Sequence, residues 1–478
     1  LEINDETSNL IRNLSRAAVV AAFLLAFTNG ANDIANSVGT SVGAGALTLR
    51  TAILAGCVFE FAGGLIVGPL VSDTLSHGII DLSSFGRTPN KLVKIMFCSI
   101  LGSALSTLGA TSYGIPVSAT KGVITSMVVL ALIVGGPQAL NFYGLQLMGL
   151  TFIISPISGL LGAYLLHALI LNIIVLSPKP VDKGRAYLPL LAGITIFVSF
   201  LSLTFKGPMA ITPVPLAFIA SVVVGGIAGL IWPLLLEYND PTPDIELSEK
   251  KSNLPKNSPE KPNSQPQSAT VTIAPTVTDS APAVTPNTAV TRNGSGEKKE
   301  KMSGLDAIFS PLVVMSGFVV AFAHGGNDVS NAAGPLSVIA GYSANPQASL
   351  EDISRPYWTN SLAAVGFVCG ILIMGGRTVK LVGVKLAKQT ATKAFATQFG
   401  AACTILVASL VHQTVSTSHV LVGSVVGASI AEKHWAKSAE DVDFKVLLKI
   451  VIGWIVTIPI AGGIAWMCFY AVNIFSGQ

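Results

Sequence analysis

The chain has 478 residues, of which 51% are apolar and only 11% charged, whereas soluble domains carry about 25% charged residues. That balance excludes a soluble globular fold, and a net charge of +4 is too small to call for nucleic acid as a partner. Cys57, Cys98, Cys369, Cys403 and Cys468 all lie in apolar stretches and form no CxxC pair, so they read as packing residues rather than as a disulfide framework or metal site.

Apolar runs of the length that crosses a hydrocarbon core, about 20 residues, begin near Ala17, Thr51, Leu92, Gly122, Phe142, Leu188, Pro213, Ala307, Tyr357, Ala394, Val420 and Val446. Seven precede and five follow a polar stretch over residues 237–304. That stretch holds "KNSPEKPNSQPQ" and "APAVTPNTAV", cannot bury enough apolar surface to fold, and predicts a disordered loop between two membrane halves, 1–236 and 305–478. The 46 glycines suit helices that pack closely or break within a membrane.

Twelve crossings set Arg12, Arg16, Arg87, Lys91 and Lys94 on one side. The larger share of basic residues, including Arg377, Lys380, Lys433, Lys437, Lys445 and Lys449, falls on the side of the loop. The positive-inside rule then places the loop inside and both termini outside. The first residue is Leu1 rather than Met, so trimming of the N-terminus is expected and no targeting segment assigns a compartment.

Two motifs occur twice, in the same order. "NGANDIANSVGT" (Asn29 to Thr40) matches "HGGNDVSNAAGP" (His324 to Pro335), with 295 positions between Asp33 and Asp328. "IPVSATKG" (Ile115 to Gly122) matches "QTVSTSHV" (Gln413 to Val420), with 298 positions between Ser118 and Ser416; Gly102 and Gly400, and Phe97 and Phe395, are in register. The repeat core of the first half is about 17–135. An odd number of segments before the second half makes this an inverted-topology repeat, a common plan of secondary transporters. The expected fold is an all-α polytopic membrane protein of about twelve segments with broken or re-entrant helices.

Asp33 and Asp328 sit in apolar surroundings with no Lys or Arg nearby in sequence, among Asn32, Asn36 and Ser37 in one half and Asn327, Ser330 and Asn331 in the other. An ionised carboxylate in that setting needs a partner. The oxygen-rich neighbourhood with one negative charge suits a hard monovalent cation, and Asn32–Asn36 and Asn327–Asn331 each share a helix face. Gly30, Gly325 and Gly326 are read as letting backbone carbonyls approach the ion and helping to break the helix. The competing reading makes each Asp a helix cap.

"PVSAT" and "TVSTS" each precede a fresh apolar run. Pro116 suits a first helical turn, and Ser118, Ala119, Thr120, Ser416, Thr417 and Ser418 then lie at helix N-termini, which hold anions through exposed N–H groups and the helix dipole. Ordinary Ser/Thr capping is the alternative. Two such termini facing one another suit one tetrahedral oxyanion. Two carboxylates would repel it at low dielectric, and cations bound first at Asp33 and Asp328 would reverse that repulsion, which makes co-transport obligatory.

At these residues the chain resembles the inorganic phosphate transporter (PiT) family of sodium– or proton–phosphate symporters. The resemblance covers both halves and spares only the loop. It implies an inverted-repeat fold, homodimers, inorganic phosphate at the serine/threonine motifs, and sodium or protons at the Asn–Asp motifs, with no other cofactor. The expected location is the plasma membrane, with a plastid inner envelope as the alternative. The family usually has His where this chain has Lys121, while His419 keeps the pattern. Lys121 is therefore read either as steering phosphate or as reaching for headgroups.

Glu60, in "CVFEFAGG", is read as a further coupling site with Gly366 as its repeat partner, and Gln398 as facing the cavity. The sequence contains no G-x-x-x-x-G-K-[ST] motif for an ATP-driven pump and no H-E-x-x-H or triad order for an intramembrane hydrolase. An ion channel is the remaining rival, and the paired cation and oxyanion motifs favour a carrier over it.

Overall fold

The computed structural model describes residues 5–85, 88–113, 115, 117–205, 214–238, 304–345, 356–437 and 442–475. The chain divides into two units, Leu1–Pro233 with Leu305–Gln478, and Leu234–Gly304. The predicted loop lies almost wholly outside the described residues, as do Pro116 and Pro213. The account below concerns the first unit.

The first half supplies α1 (Asp5–Gly43), α2 (Leu49–Ile66), α3 (Gly68–His77), α4 (Pro89–Ser112), α5 (Ala119–Gly135), α6 (Phe142–Ile170), α7 (Pro180–Phe205) and α8 (Val214–Tyr238). The second supplies α9 (Gly304–Asp328), α10 (Ser330–Ala344), α11 (Trp358–Lys385), α12 (Ala391–Leu410), α13 (Thr417–Trp435) and α14 (Phe444–Phe475). Among the described residues ten helical stretches are long and apolar enough to cross a membrane, α9 and α10 counting as one. Twelve of the fourteen helices match predicted segments: ten begin within three residues of the predicted start, and α1 and α7 begin 12 and 8 residues before it. Two of those twelve miss the measure: α5 is shorter, at 17 residues, and α13 is not among the ten. The protein is an all-α, multi-pass membrane protein.

The Asn–Asp motifs do not break the chain as expected. α1 runs from Asp5 through Gly30 and Asp33 to Gly43 without interruption, and the second copy turns only at Val329, between α9 and α10. Neither Asp is a helix cap; both lie within helical turns.

The motif glycines serve helix crossings instead. A Cβ on Gly30 would stand 2.0 Å from the Phe367 carbonyl oxygen of α11, and one on Gly325 would stand 2.1 Å from the Glu60 carbonyl oxygen of α2. Their partners repeat the device: a Cβ on Gly370 would stand 1.8 Å from the Phe27 carbonyl oxygen, and one on Gly63 1.9 Å from that of Phe322. Only a glycine admits a neighbouring backbone this close, and small residues at membrane-helix crossings gain packing contacts in return. These matched contacts also make Phe367, not Gly366, the counterpart of Glu60.

Two outer helices are exchanged between the halves. α6 of the first half packs on α12 and α13 of the second, and α14 of the second half packs on α4 and α5 of the first. Gly400 lies against Ala163 of α6 as Gly102 lies against Ala465 of α14. The serine/threonine motifs occupy the ends of α5 and α13 inside this frame, against α1, α9 and α10.

Candidate functional site

Asn32 and Asn327 anchor the two serine/threonine segments in the same way. Asn32 Oδ1 accepts from the Val117 N–H at 3.2 Å, and its Nδ2 donates to the Ile115 carbonyl at 3.2 Å and to Thr111 Oγ1 at 3.0 Å. Asn327 Oδ1 accepts from the Val415 N–H at 3.2 Å, and its Nδ2 donates to the Val415 carbonyl at 2.9 Å and to Asp328 Oδ1 at 2.6 Å. The extended residues before α5 and α13 pair with neither sheet nor helix, so their buried backbone groups take amide side chains as partners.

Asn36 and Asn331 cross between the halves. Asn36 Nδ2 donates to Ser418 Oγ at 3.0 Å and to Asp33 Oδ1 at 3.3 Å; Asn331 Nδ2 donates to Thr120 Oγ1 at 3.1 Å. At the centre Ser416 Oγ donates to Ser118 Oγ over 2.9 Å. Ser118 and Ser416 are the N-caps of α5 and α13, and Ser118 also accepts from the Lys121 N–H at 3.4 Å. All of these side chains are buried, the most accessible, Asn36, being 5% exposed.

The two acids differ. Asp328 Oδ2 accepts from Thr417 Oγ1 at 3.1 Å and lies 3.1 Å from His324 Nε2. His324 Nδ1 lies 2.8 Å from Glu60 Oε2, and Glu60 Oε1 accepts from Ser37 Oγ at 2.6 Å. A chain Ser37–Glu60–His324–Asp328 therefore joins α1, α2 and α9. In the first half Ala119 replaces Thr417 and Asn29 replaces His324. Asn29 is fully buried, and both its amide nitrogen and its amide oxygen lack a hydrogen-bond partner. Asn331 Oδ1 also lacks one.

The sequence reading missed His324 as a site residue. The available signal was its place one turn before Asp328, where the first motif has Asn29; this is the one ionisable difference within Asn29 to Thr40 and its copy.

The remaining predicted residues have contacts of their own. Gln398 joins helices: its Oε1 accepts from Ser316 Oγ at 2.7 Å and its Nε2 donates to Ser41 Oγ at 2.5 Å. Lys121 and His419, which are repeat counterparts, meet one aromatic pair. Lys121 Nζ lies 5.6 Å from the centre of Phe152 and 5.7 Å from that of Trp454, and the His419 ring lies 3.8 Å from Trp454. Cation–π contact accounts for Lys121.

Geometry of this kind has relatives. A model of the phosphate transporter family matches residues 29–465. The chain is 29% identical over 426 residues to a protein of Pyrococcus horikoshii named as a phosphate permease, covering 89% of each. It is 30% identical to the inorganic phosphate transporter 2-1, chloroplastic, of Arabidopsis thaliana over 88% of this chain and 66% of that one. A solved structure described as "The sodium-dependent phosphate transporter" superposes with a TM-score of 0.77 over 97% of this chain and 99% of its own, at 23% identity, and so shares its fold. A match that takes in both Asn–Asp motifs, both serine/threonine motifs and nearly all the helices around them leaves one assignment: the chain belongs to the phosphate transporter family.

Proposed function

We propose that the chain is a sodium-driven symporter that carries inorganic phosphate by alternating access around the Ser118–Ser416 pair. The observation that carries this reading is that pair itself, 2.9 Å apart at facing helix N-termini and tied on either side to the Asn–Asp motifs. In this structure the two hydroxyls satisfy each other. Phosphate oxygens would replace that bond, taking donors from Ser118, Thr120, Ser416, Thr417 and Ser418 and from the Ala119 N–H, with both helix dipoles favouring the anion.

Asp33 and Asp328 repel the anion until cations are bound. Asn29, one turn before Asp33, offers an unpartnered amide oxygen, and Asp33 has no hydrogen bond to a histidine among the described residues, so the first-half acid suits a sodium ion better than its counterpart does. Asn32 and Asn327 hold the serine/threonine segments in place, while Asn36 and Asn331 link cation occupancy to the anion hydroxyls. The name of the solved relative, a sodium-dependent transporter, supports sodium as the coupling ion. On this reading the chain is an inverted repeat, works as a homodimer and faces the cytoplasm or its equivalent with residues 237–304. It resides in the plasma membrane, or in a plastid inner envelope like the chloroplastic relative.

A specific observation favours a second reading, proton coupling: Glu60, His324 and Asp328 form a buried relay of ionisable groups. Phosphate uptake into liposomes, with sodium and pH gradients imposed separately, decides between them. Uptake driven by sodium alone supports the first; uptake driven by pH alone supports the second; none with either gradient rejects both.

A further inference from the structure

Two grooves flank the serine/threonine segments, outside the site. One, of about 530 Å³, lies between α4 and α14, where Lys449, Gly453, Thr457 and Ile464 face Ile115 and Val117. The other, of about 480 Å³, lies between α12 and α6, where Leu147, Thr151, Ser155 and Gly162 face Gln413 and Val415. They correspond position by position: the residues on α6 and α14 are 302 apart, and those of the two segments 298 apart. The outer edge of the first groove is apolar and open, with Ile452 49% and Ile460 46% exposed.

The grooves differ in charge. Where the second has Leu147, the first has Lys449, which is exposed and forms no ion pair among the described residues. Lys445, one helical turn earlier, adds a second positive charge beside this end. From Lys449 to Ile464 the groove follows α14 for about 22 Å at 1.5 Å per residue. That exceeds one leaflet's share, about 15 Å, of the hydrocarbon core.

We propose that the α4–α14 groove binds one anionic phospholipid, its headgroup phosphate at Lys449 and an acyl chain laid along Gly453 and Thr457 against Ile115 and Val117. The charge at one end and the apolar length beyond it fit that amphiphile. The bound chain braces the segment that Asn32 holds from its other side, so the lipid acts on transport through the same two backbone groups. The uncharged α6–α12 groove takes acyl chains without preference for the headgroup.

Native mass spectrometry of the full chain, exchanged into phosphatidylglycerol or phosphatidylcholine, tests the binding. Wild type retains phosphatidylglycerol in preference. Lys449→Gln lowers that retention about five-fold, the effect of one lysine at an anionic surface, and Leu147→Ala leaves it unchanged. Gly453→Leu fills the groove and removes the preference; a melting temperature measured on each variant shows that it is folded. Phosphate uptake in liposomes rises with phosphatidylglycerol content in wild type and not in Lys449→Gln. Equal retention of both lipids by wild type, or unchanged retention in Lys449→Gln, overturns the site. Uptake indifferent to anionic lipid overturns its action on transport. A disulfide between two copies bearing Ile452→Cys would show a second copy of the chain in the groove and overturn it likewise.

Discussion

Asn32 and Asn327, in different halves of the chain, each accept a backbone N–H at 3.2 Å, from Val117 and from Val415. Replacing Asn32 with Ala strands the Val117 N–H and the Ile115 carbonyl. Unsatisfied buried groups cost about 1–3 kcal/mol each. Asn32→Ala is expected to lower the melting temperature in detergent and to abolish uptake, and Asn327→Ala to do the same. A variant that keeps both stability and uptake would contradict the anchoring role.

Asp33→Asn and Asp328→Asn remove a charge with almost no change of shape. Both are expected to fold and to lose cation-dependent phosphate uptake. Asp328→Asn also leaves His324 with Glu60 as its one acidic partner, so it is expected to lose more thermal stability than Asp33→Asn. Normal uptake in both variants would sink the cation role; equal stability loss would sink the asymmetry.

His324→Asn gives the second motif the residue that the first has at Asn29. If protons reach Asp328 through Glu60 and His324, this variant loses uptake driven by a pH gradient and keeps uptake driven by sodium. Glu60→Gln should act in the same direction, with a larger stability cost, since breaking a buried ion pair from one side costs about 3–5 kcal/mol. Unaltered pH-driven uptake in both would dismiss the relay.

Gly30→Ala and Gly370→Ala place a Cβ about 2 Å from a carbonyl oxygen of the facing helix. Forced overpacking costs about 1–3 kcal/mol, and because backbone rather than side chain must yield, both are expected at or above the upper end. Gly109→Ala, with no heavy atom within 4 Å of the added carbon, is the control and should melt like wild type.

Lys121→His restores the residue usual in the family. Because Lys121 Nζ rests on Phe152 and Trp454, this change is expected to leave the apparent KM for phosphate within about two-fold and to act on stability by the ~1–2 kcal/mol of a half-buried cation–π contact. A ten-fold rise in KM would return Lys121 to the anion site.

Much of this was legible in residue order. The apolar runs gave the helices because crossing a bilayer imposes a length, and the doubled motifs gave Asp33, Asp328, Ser118 and Ser416 because a repeat states the same chemistry twice. What stayed hidden was pairing across long separations. Glu60 and His324 are 264 positions apart, and no local pattern joins them. The motif glycines were read as ion-side breaks because in sequence they adjoin Asp33 and Asp328; the helices that need them, α11 and α2, lie elsewhere in the chain. The twelve expected segments and the ten long apolar stretches among the described residues differ at α5 and α13, which begin at polar segments that shorten or dilute the apolar run.

The exchange of α6 and α14 has a consequence for how the protein is made. The first half completes α4 and α5 early in translation, yet their outer neighbour α14 starts 309 positions after α5 ends, at Phe444 against Gly135. Until then the wall of the first half stays open to lipid or to the insertion machinery, and a premature stop after α13 would leave α4 and α5 without their outer neighbour. Quality control of the first half therefore waits on α14, on the docking of Gly102 and Gly122 against the Ala461–Ala465 face.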